Sequence, residues 1–162
     1  EDSREHLTRW EPSWPPGSLT PESFRRRLKG YWREMRRGGA LPLLIFRCSN
    51  NALVGGITLS NIRYGASRSA TLGYWVGARY VRRGYARAAL AAVLDHAFRQ
   101  LELNRVEAAC QPDNLASRML LEGAGFAFEG RAQDYLRIND AWRDHLLYAI
   151  TASAFSAGRA RG

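Results

Sequence analysis

Residues 72–86 read LGYWVGARYVRRGYA, and an apolar helical pattern follows them. Residues 72–76 are typical of a buried strand, and Gly84 stands where the helix begins. The first backbone N–H groups of a helix have no internal partners and carry partial positive charge, so this end of a helix attracts anions. Gly84 lets an anion approach the backbone closely, and Arg82 and Arg83 add two cations. The stretch predicts a strand, loop and helix that bind phosphate.

A second unit of the same kind follows in residues 106–128. Residues 106–110 predict a strand, residues 115–124 a short helix, and Gly125 the end of that helix. Neither a Walker sequence nor a GxGxxG pattern occurs in the first unit, so the common nucleotide-binding folds fit poorly. A plain strand-to-helix turn with two solvated arginines is the alternative for that unit alone.

Seven short motifs occur in the order and spacing of one protein family. They are GYWV (residues 73–76), RGYA (83–86), RVEA (105–108), N-x-A-S (114–117), GF (125–126), EG (129–130) and W-x-D (142–144). With these motifs the chain resembles the GNAT acetyltransferases, and within them the Rim-type branch that acetylates the N-terminal alanine of ribosomal proteins. The resemblance spans residues 72–150 and weakens toward the N-terminus.

The resemblance implies an α/β fold of the α+β kind, with a mixed, mostly antiparallel central sheet that is splayed in its middle and has helices on both faces. The family fold opens with a strand, so we expect that strand to be missing from this chain and one sheet edge to be free or newly paired. Outside the motifs, Thr20 and Pro21 predict a helix start, and two asparagine-containing turns at residues 50–51 and 139–140 predict hairpins. We expect one domain over residues 1–151 and a basic, frayed tail over residues 152–162.

The resemblance also implies acetyl-CoA as the cosubstrate, bound in the split of the sheet with its phosphates on the arginine-containing loop. The cofactor-binding residues are then Trp75, Val76, Arg82, Arg83, Gly84, Tyr85, Ala86, Asn114 and Ser117. Capping the following helix is an equally sound role for Asn114. Val81 stands where the family usually has Gln or Arg, but backbone amides carry most of that contact.

Two residues are candidates for proton transfer. Ser117 matches the serine that the Rim-type branch implies as the proton donor to the departing thiolate, and Leu121 stands where other branches carry a tyrosine. Glu107 is a candidate general base or a buried structural anchor, because a buried carboxyl group needs partners or a raised pKa. Thr71 occupies the position where many relatives carry a glutamate, so a water molecule or no residue at all are the other possibilities for the base.

The implied reaction is acetyl transfer to a primary amine, with the N-terminal α-amine of a ribosomal protein as the first interpretation. A small amine such as an aminoglycoside, and a non-catalytic module that binds acyl-CoA or RNA, are the alternatives. The candidate acceptor-binding residues are Trp10, Trp14, Arg63, Tyr64 and Tyr135, whose side chains packing would explain equally well.

Charge and composition limit the classes of partner that the protein can have. The formal net charge is +9, which favours phosphate-bearing partners such as ribosomal RNA. A GC-rich bacterial genome, which favours arginine over lysine, explains the charge equally well. No run approaches the roughly 20 apolar residues of a membrane span, and no signal-peptide pattern opens the chain. We therefore expect a cytoplasmic protein without membrane contact, as a monomer or homodimer.

The cysteine and histidine residues show no pattern of a disulfide or a metal site. Cys48 and Cys110 alternate with apolar strand residues, which predicts two buried, reduced thiols. His6, His96 and His145 show no ligand spacing with cysteine or acidic residues, so we expect no metal.

Overall fold

A computed structural model describes residues 2–159. Its helices are α1 (Arg4–Thr8), α2 (Pro21–Arg36), α3 (Tyr85–Arg99), α4 (Leu115–Gly123) and α5 (Ala152–Arg159), with a short 3-10 turn at Ala78–Tyr80. Its strands are β1 (Leu41–Arg47), β2 (Ala52–Arg63), β3 (Ser69–Val76), β4 (Arg105–Cys110), β5 (Ala127–Ile138) and β6 (Ala141–Thr151).

The six strands form one sheet in the order β1-β2-β3-β4-β6-β5. Within residues 2–159, β3 and β4 are the one parallel pair, and the other neighbouring strands are antiparallel. The pairing of β3 with β4 ends at Leu72 and Ala108, although β3 continues to Val76 and β4 to Cys110. The two strands therefore part, which confirms the mixed, mostly antiparallel and splayed sheet.

Helix α3 holds the core together from one face of the sheet. Its residues Leu90, Val93, Leu94 and Ala97 recur three and four apart and are all buried, as the apolar periodicity predicted. They pack on β2, β3 and β4, and Leu121 of α4 joins the same cluster. Burying each large side chain of this kind contributes about 1.5–3 kcal/mol, so α3 is firmly fixed to the sheet.

Helix α2 is built by the predicted cap but packs loosely. The Thr20 hydroxyl accepts the Ser23 N–H at 3.2 Å, and Pro21 occupies the first turn. No residue of α2 is buried, and the helix contacts β1. Its large apolar side chains are all more than two-fifths exposed: Phe24, Leu28, Tyr31, Trp32 and Met35.

Two expectations about ordering and burial are wrong. Residues 152–159 are not frayed. They form α5, and Phe155 packs against Phe98 with ring centroids 5.2 Å apart. Residues 160–162 lie outside the described residues. Cys48 is exposed, because β1 ends at Arg47 and Cys48 begins the turn, whereas Cys110 is buried as predicted.

The sheet has a free edge at β1. Within residues 2–159, this strand pairs with β2 alone, which is one of the two edge arrangements expected from the sequence. No helix in the same described residues is both long and apolar enough to cross a membrane.

Candidate active site

The parting of β3 and β4 leaves one side of residues 73–76 without a strand partner. On the other side these residues pair with β2, from Gly73 opposite Thr58 to Val76 opposite Gly55. A free strand edge binds extended chains that carry amide groups. The edge thus suits the amide-containing pantetheine arm of coenzyme A, next to the predicted binding residues Trp75 and Val76.

Alternation along β3 sends neighbouring side chains to opposite faces of the sheet. The indole of Trp75 lies over Gly56, where an added Cβ atom would come within 2.5 Å of the indole nitrogen. Tyr74 points to the other face and packs against the buried core. Gly56 therefore leaves room for the Trp75 indole on one face of the sheet, and Tyr74 lies on the other face beside α4.

The loop before α3 has the geometry of an anion site. Arg82 and Gly84 both have positive φ values, 57° and 81°, and such left-handed residues turn successive N–H groups toward one point. The first N–H of the helix to bond backwards is that of Ala88, to the Gly84 carbonyl at 3.0 Å. The N–H groups of residues 85–87 are thus not used within the helix.

The side chains of this loop suit phosphate as well. Arg82 and Arg83 are exposed, and neither forms an ion pair with any acid in the part of the chain that the structure describes. A Cβ atom at Gly84 would meet nothing within 4 Å, so the cradle is open. Cations and free N–H groups around an open cradle fit the pyrophosphate of coenzyme A.

Asn114 caps α4, because its Oδ1 atom accepts the Ser117 N–H at 3.1 Å. This is the capping role that the sequence left open. This bond occupies one lone pair of the carbonyl oxygen and leaves both protons of the amide nitrogen for a contact with the pantetheine arm. That contact stays a prediction.

Ser117 lies at the point where β3, β4 and α4 meet. Its hydroxyl is 2.6 Å from the Tyr74 hydroxyl. Burial raises the pKa of Tyr74 to about 12. Burial also raises the pKa of the Cys110 thiol, against the lowering effect of its hydrogen bond with Ser117 and of the nearby Arg118 charge. Tyr74 was not among the site residues predicted from the sequence, although its alternation with Trp75 directs its side chain toward the core.

Glu107 is not buried, contrary to the expectation from its strand. Its side chain is 47% exposed, and its Oε1 atom accepts a hydrogen bond from Arg105 Nε at 2.8 Å. Arg105 also binds Glu129 with both terminal nitrogens and lowers the pKa of that carboxyl group. Alternation along β4 turns Glu107 away from the core, directly beside Thr71 in the register of β3. The contacts support an anchoring role, and a role as base stays a prediction.

Two predicted acceptor-binding residues lie in the segment between α1 and α2. Trp10 stacks under the Arg9 guanidinium at 4.8 Å, and Arg9 reaches Asp113 at 4.0 Å. Trp14 donates from Nε1 to Glu11 at 2.9 Å, and burial raises the pKa of that carboxyl group. The Arg9–Asp113 contact brings the Trp10 end of this segment next to the loop that precedes Ser117.

The other three acceptor candidates lie elsewhere. Arg63 ends β2, and Tyr64 follows it beside Gly38. Tyr135 packs on His145 with ring centroids 5.6 Å apart. Within residues 2–159, no hydrogen bond, ion pair or ring contact joins the five candidates into one pocket, so their shared role stays a prediction. In the same residues no group of three or more metal-binding side chains occurs.

Known proteins share this arrangement. Residues 2–127 match the family described as the acetyltransferase (GNAT) domain. The chain is 31% identical over 158 residues to the ribosomal protein uS5-alanine N-acetyltransferase of Escherichia coli, covering 98% of this chain and 81% of that protein.

Two solved structures extend the likeness to three dimensions. Mycobacterium smegmatis RimJ in complex with CoA-disulfide superposes with a TM-score of 0.87 at 38% identity, covering 97% of this chain and 79% of that one. The ribosomal-protein-S5-alanine acetyltransferase of Vibrio fischeri gives 0.89 at 30% identity, over 95% and 84% of the two chains. This chain therefore belongs to the GNAT acetyltransferase family, and it is an acetyl-CoA-dependent N-acetyltransferase.

Proposed function

We propose that this enzyme acetylates the N-terminal α-amine of a protein, and that ribosomal proteins are its substrate class. The observation that carries this proposal is the engagement of Glu107. It is the one acid on the two parting strands, and Arg105 binds its carboxylate. The site thus offers no free carboxylate on β3 or β4 to deprotonate a strongly basic amine.

The N-terminal α-amine and the lysine side chain differ sharply in how much they need a general base to remove a proton. The amine must be neutral to attack a thioester. With ordinary pKa values of roughly 7.8 for an α-amine and 10.4 for lysine, about one α-amine in seven is neutral at pH 7, against about one lysine in 2,500. A site with an engaged carboxylate suits the α-amine. The likeness to enzymes named for uS5 alanine supplies the substrate class.

Each part of the cleft then has one task. Acetyl-CoA supplies the acetyl thioester and a sulfur leaving group. The free edge of residues 73–76 holds the pantetheine arm, and Arg82, Arg83 and the first N–H groups of α3 hold the phosphates. A backbone N–H of residues 72–74 stabilises negative charge on the carbonyl oxygen. The neutral amine would attack the carbonyl carbon, so that a C–N bond forms and the C–S bond breaks. Ser117 would give its proton to the sulfur, and the proton lost by the amine would restore the serine hydroxyl. Positioning of the two reactants supplies much of the rate.

The surface of α2 suits a substrate that comes with ribosomal RNA. Arg25, Arg26 and Lys29 are exposed on this helix, and Trp32 is 58% exposed beside the Arg36 guanidinium at 4.8 Å. Cations interleaved with exposed aromatic rings are a common combination in RNA-binding surfaces. We place the enzyme in the cytoplasm, with the ribosome.

The test is a competition within one peptide that has a free N-terminal alanine and one internal lysine. After incubation with acetyl-CoA, fragmentation mass spectrometry locates the acetyl group. We expect it on the α-amine, with none on a matched peptide whose N-terminus is blocked. Acetyl groups mainly on lysine, or efficient transfer only to a polyamine or an aminoglycoside, would overturn the proposal.

The variant Glu107→Gln in the same assay separates the two roles of that residue. If Glu107 is an anchor, the uncharged glutamine weakens the bond from Arg105, and the rate falls by the same factor at every pH. As a base, its loss is offset when the pH rises toward the pKa of the amine. We expect the first result, measured as kcat from pH 6.5 to 9.

A further inference from the structure

The hydroxyl groups of Tyr74 and Ser117 form a hydrogen bond across the splayed strands. Tyr74 lies on β3 beyond its last pairing with β4, and Ser117 lies in the first turn of α4. Their oxygen atoms are 2.6 Å apart, although the residues are 43 positions apart in sequence. The bond thus joins β3 to α4 at Ser117, the residue proposed to protonate the leaving sulfur.

The direction of this hydrogen bond decides what Ser117 can do. A serine hydroxyl has one proton to donate and two lone pairs that accept. If Ser117 donated to Tyr74, its proton would not be available at the sulfur. If Tyr74 donates, the single proton of Ser117 is left for another acceptor. A phenol is a stronger donor than an aliphatic alcohol, so the second direction is favoured.

The surroundings of the two groups support that direction. The Tyr74 phenol is protonated at neutral pH, and burial raises its pKa further, to about 12. The Asn114 side chain binds the Ser117 N–H at 3.1 Å and fixes the start of the helix.

We propose that Tyr74 is a positioning residue. Its O–H donates a hydrogen bond to Ser117 Oγ and so orients the Ser117 hydroxyl toward the leaving sulfur. This inference rests on the proposed role of Ser117 as the proton donor. Tyr74 acts through Ser117 and need not contact the substrate. Removing the Tyr74 hydroxyl should therefore matter only while the Ser117 hydroxyl is present.

A double-mutant cycle tests this dependence. Tyr74→Phe keeps the ring in the core and removes only the hydroxyl. We expect kcat with the alanine peptide to fall by about five- to tenfold, as for the loss of one hydrogen bond, with the KM for acetyl-CoA within about twofold. In a Ser117→Ala background, Tyr74→Phe should have no further effect. Equal losses in both backgrounds, or no loss in either, would overturn the proposal.

Tyr148→Phe is the matched control. Tyr148 is also a buried tyrosine that binds α4, but its hydroxyl donates to Glu122 at 2.9 Å. Its change in kcat should be the same with and without the Ser117 hydroxyl. Thermal unfolding by circular dichroism shows whether each variant is folded.

A second measurement needs no acetyl transfer. The thiol of bound coenzyme A is titrated by its thiolate absorbance in the ultraviolet. A hydrogen bond from Ser117 favours the thiolate, so Tyr74→Phe should raise the pKa of that thiol by about half to one unit. Ser117→Ala should raise it as well, and the double variant should add nothing. If the parent enzyme acetylates no peptide but these shifts occur, the proposed substrate is wrong and the role of Tyr74 stands; without the shifts, that role is wrong.

Discussion

The N-terminal region (residues 2–47) and the cofactor region (residues 69–126) use helices of almost the same length in opposite ways. Helix α2 has 16 residues and buries none of them, whereas α3 has 15 residues and buries four. Both have apolar side chains at helical spacing. The periodicity of a sequence thus predicts that a helix forms and which side is apolar, but not what covers that side.

The difference follows the division of labour in the cleft. In the proposed function, the cofactor region binds a constant ligand, mostly through backbone groups whose positions depend on a rigid helix and sheet. The N-terminal region contributes Trp10 and Trp14, whose side chains are the candidates for contact with the acceptor. Side chains on a loosely packed helix such as α2 can be substituted at little cost in stability, whereas buried side chains of α3 cannot.

Truncating one leucine in each helix should produce the largest contrast. Leu90 of α3 is 0% exposed and Leu28 of α2 is 46% exposed. Leu90→Ala should lower the free energy of unfolding by about 2–5 kcal/mol, because it leaves a cavity in the core. Leu28→Ala should change it by less than about 0.5 kcal/mol. Urea unfolding followed by circular dichroism measures both; a large loss in Leu28→Ala would show that the apolar side of α2 is covered in solution.

Local signals account for the elements that the sequence predicts well. The strand predicted for residues 72–76 lies within β3 (Ser69–Val76), and α4 begins after the candidate cap Asn114, because strand alternation and capping depend on neighbouring residues. Contacts between distant residues were not predictable in this way. The Tyr74–Ser117 bond, the Arg105–Glu129 ion pair and the packing of Phe155 on Phe98 form only in the folded protein. The splay itself came from the family resemblance and not from any periodicity.

Removing two positive charges from each region should separate cofactor binding from general charge. Arg82→Gln with Arg83→Gln should weaken acetyl-CoA binding by about tenfold to a hundredfold, since each arginine can make charge-assisted bonds to phosphate. Arg25→Gln with Lys29→Gln removes the same charge from α2 and should leave the affinity within about twofold. Isothermal calorimetry measures both. Equal losses would mean that long-range charge, rather than the loop, binds the cofactor.

The α2 pair also sharpens the proposal about RNA. With a short peptide as acceptor, the turnover of the Arg25→Gln, Lys29→Gln variant should match that of the parent enzyme. With a ribosomal particle as acceptor, turnover should fall and the salt dependence should weaken, because fewer phosphate contacts remain. Unchanged turnover on the particle would show that α2 does not lie near RNA.

The smallest difference in stability between the two regions should come from the two helix caps, which are chemically alike. Asn114 accepts the Ser117 N–H at 3.1 Å, and Thr20 accepts the Ser23 N–H at 3.2 Å. Asn114→Ala and Thr20→Ala should each lower the free energy of unfolding by about 1 kcal/mol, the usual cost of losing a cap. Only Asn114→Ala should also raise the KM for acetyl-CoA, because its amide nitrogen is predicted to contact the pantetheine arm. If the KM stays at the parent value while both variants lose the same stability, Asn114 is a cap and nothing more, and the cleft holds its ligand by backbone and arginines alone.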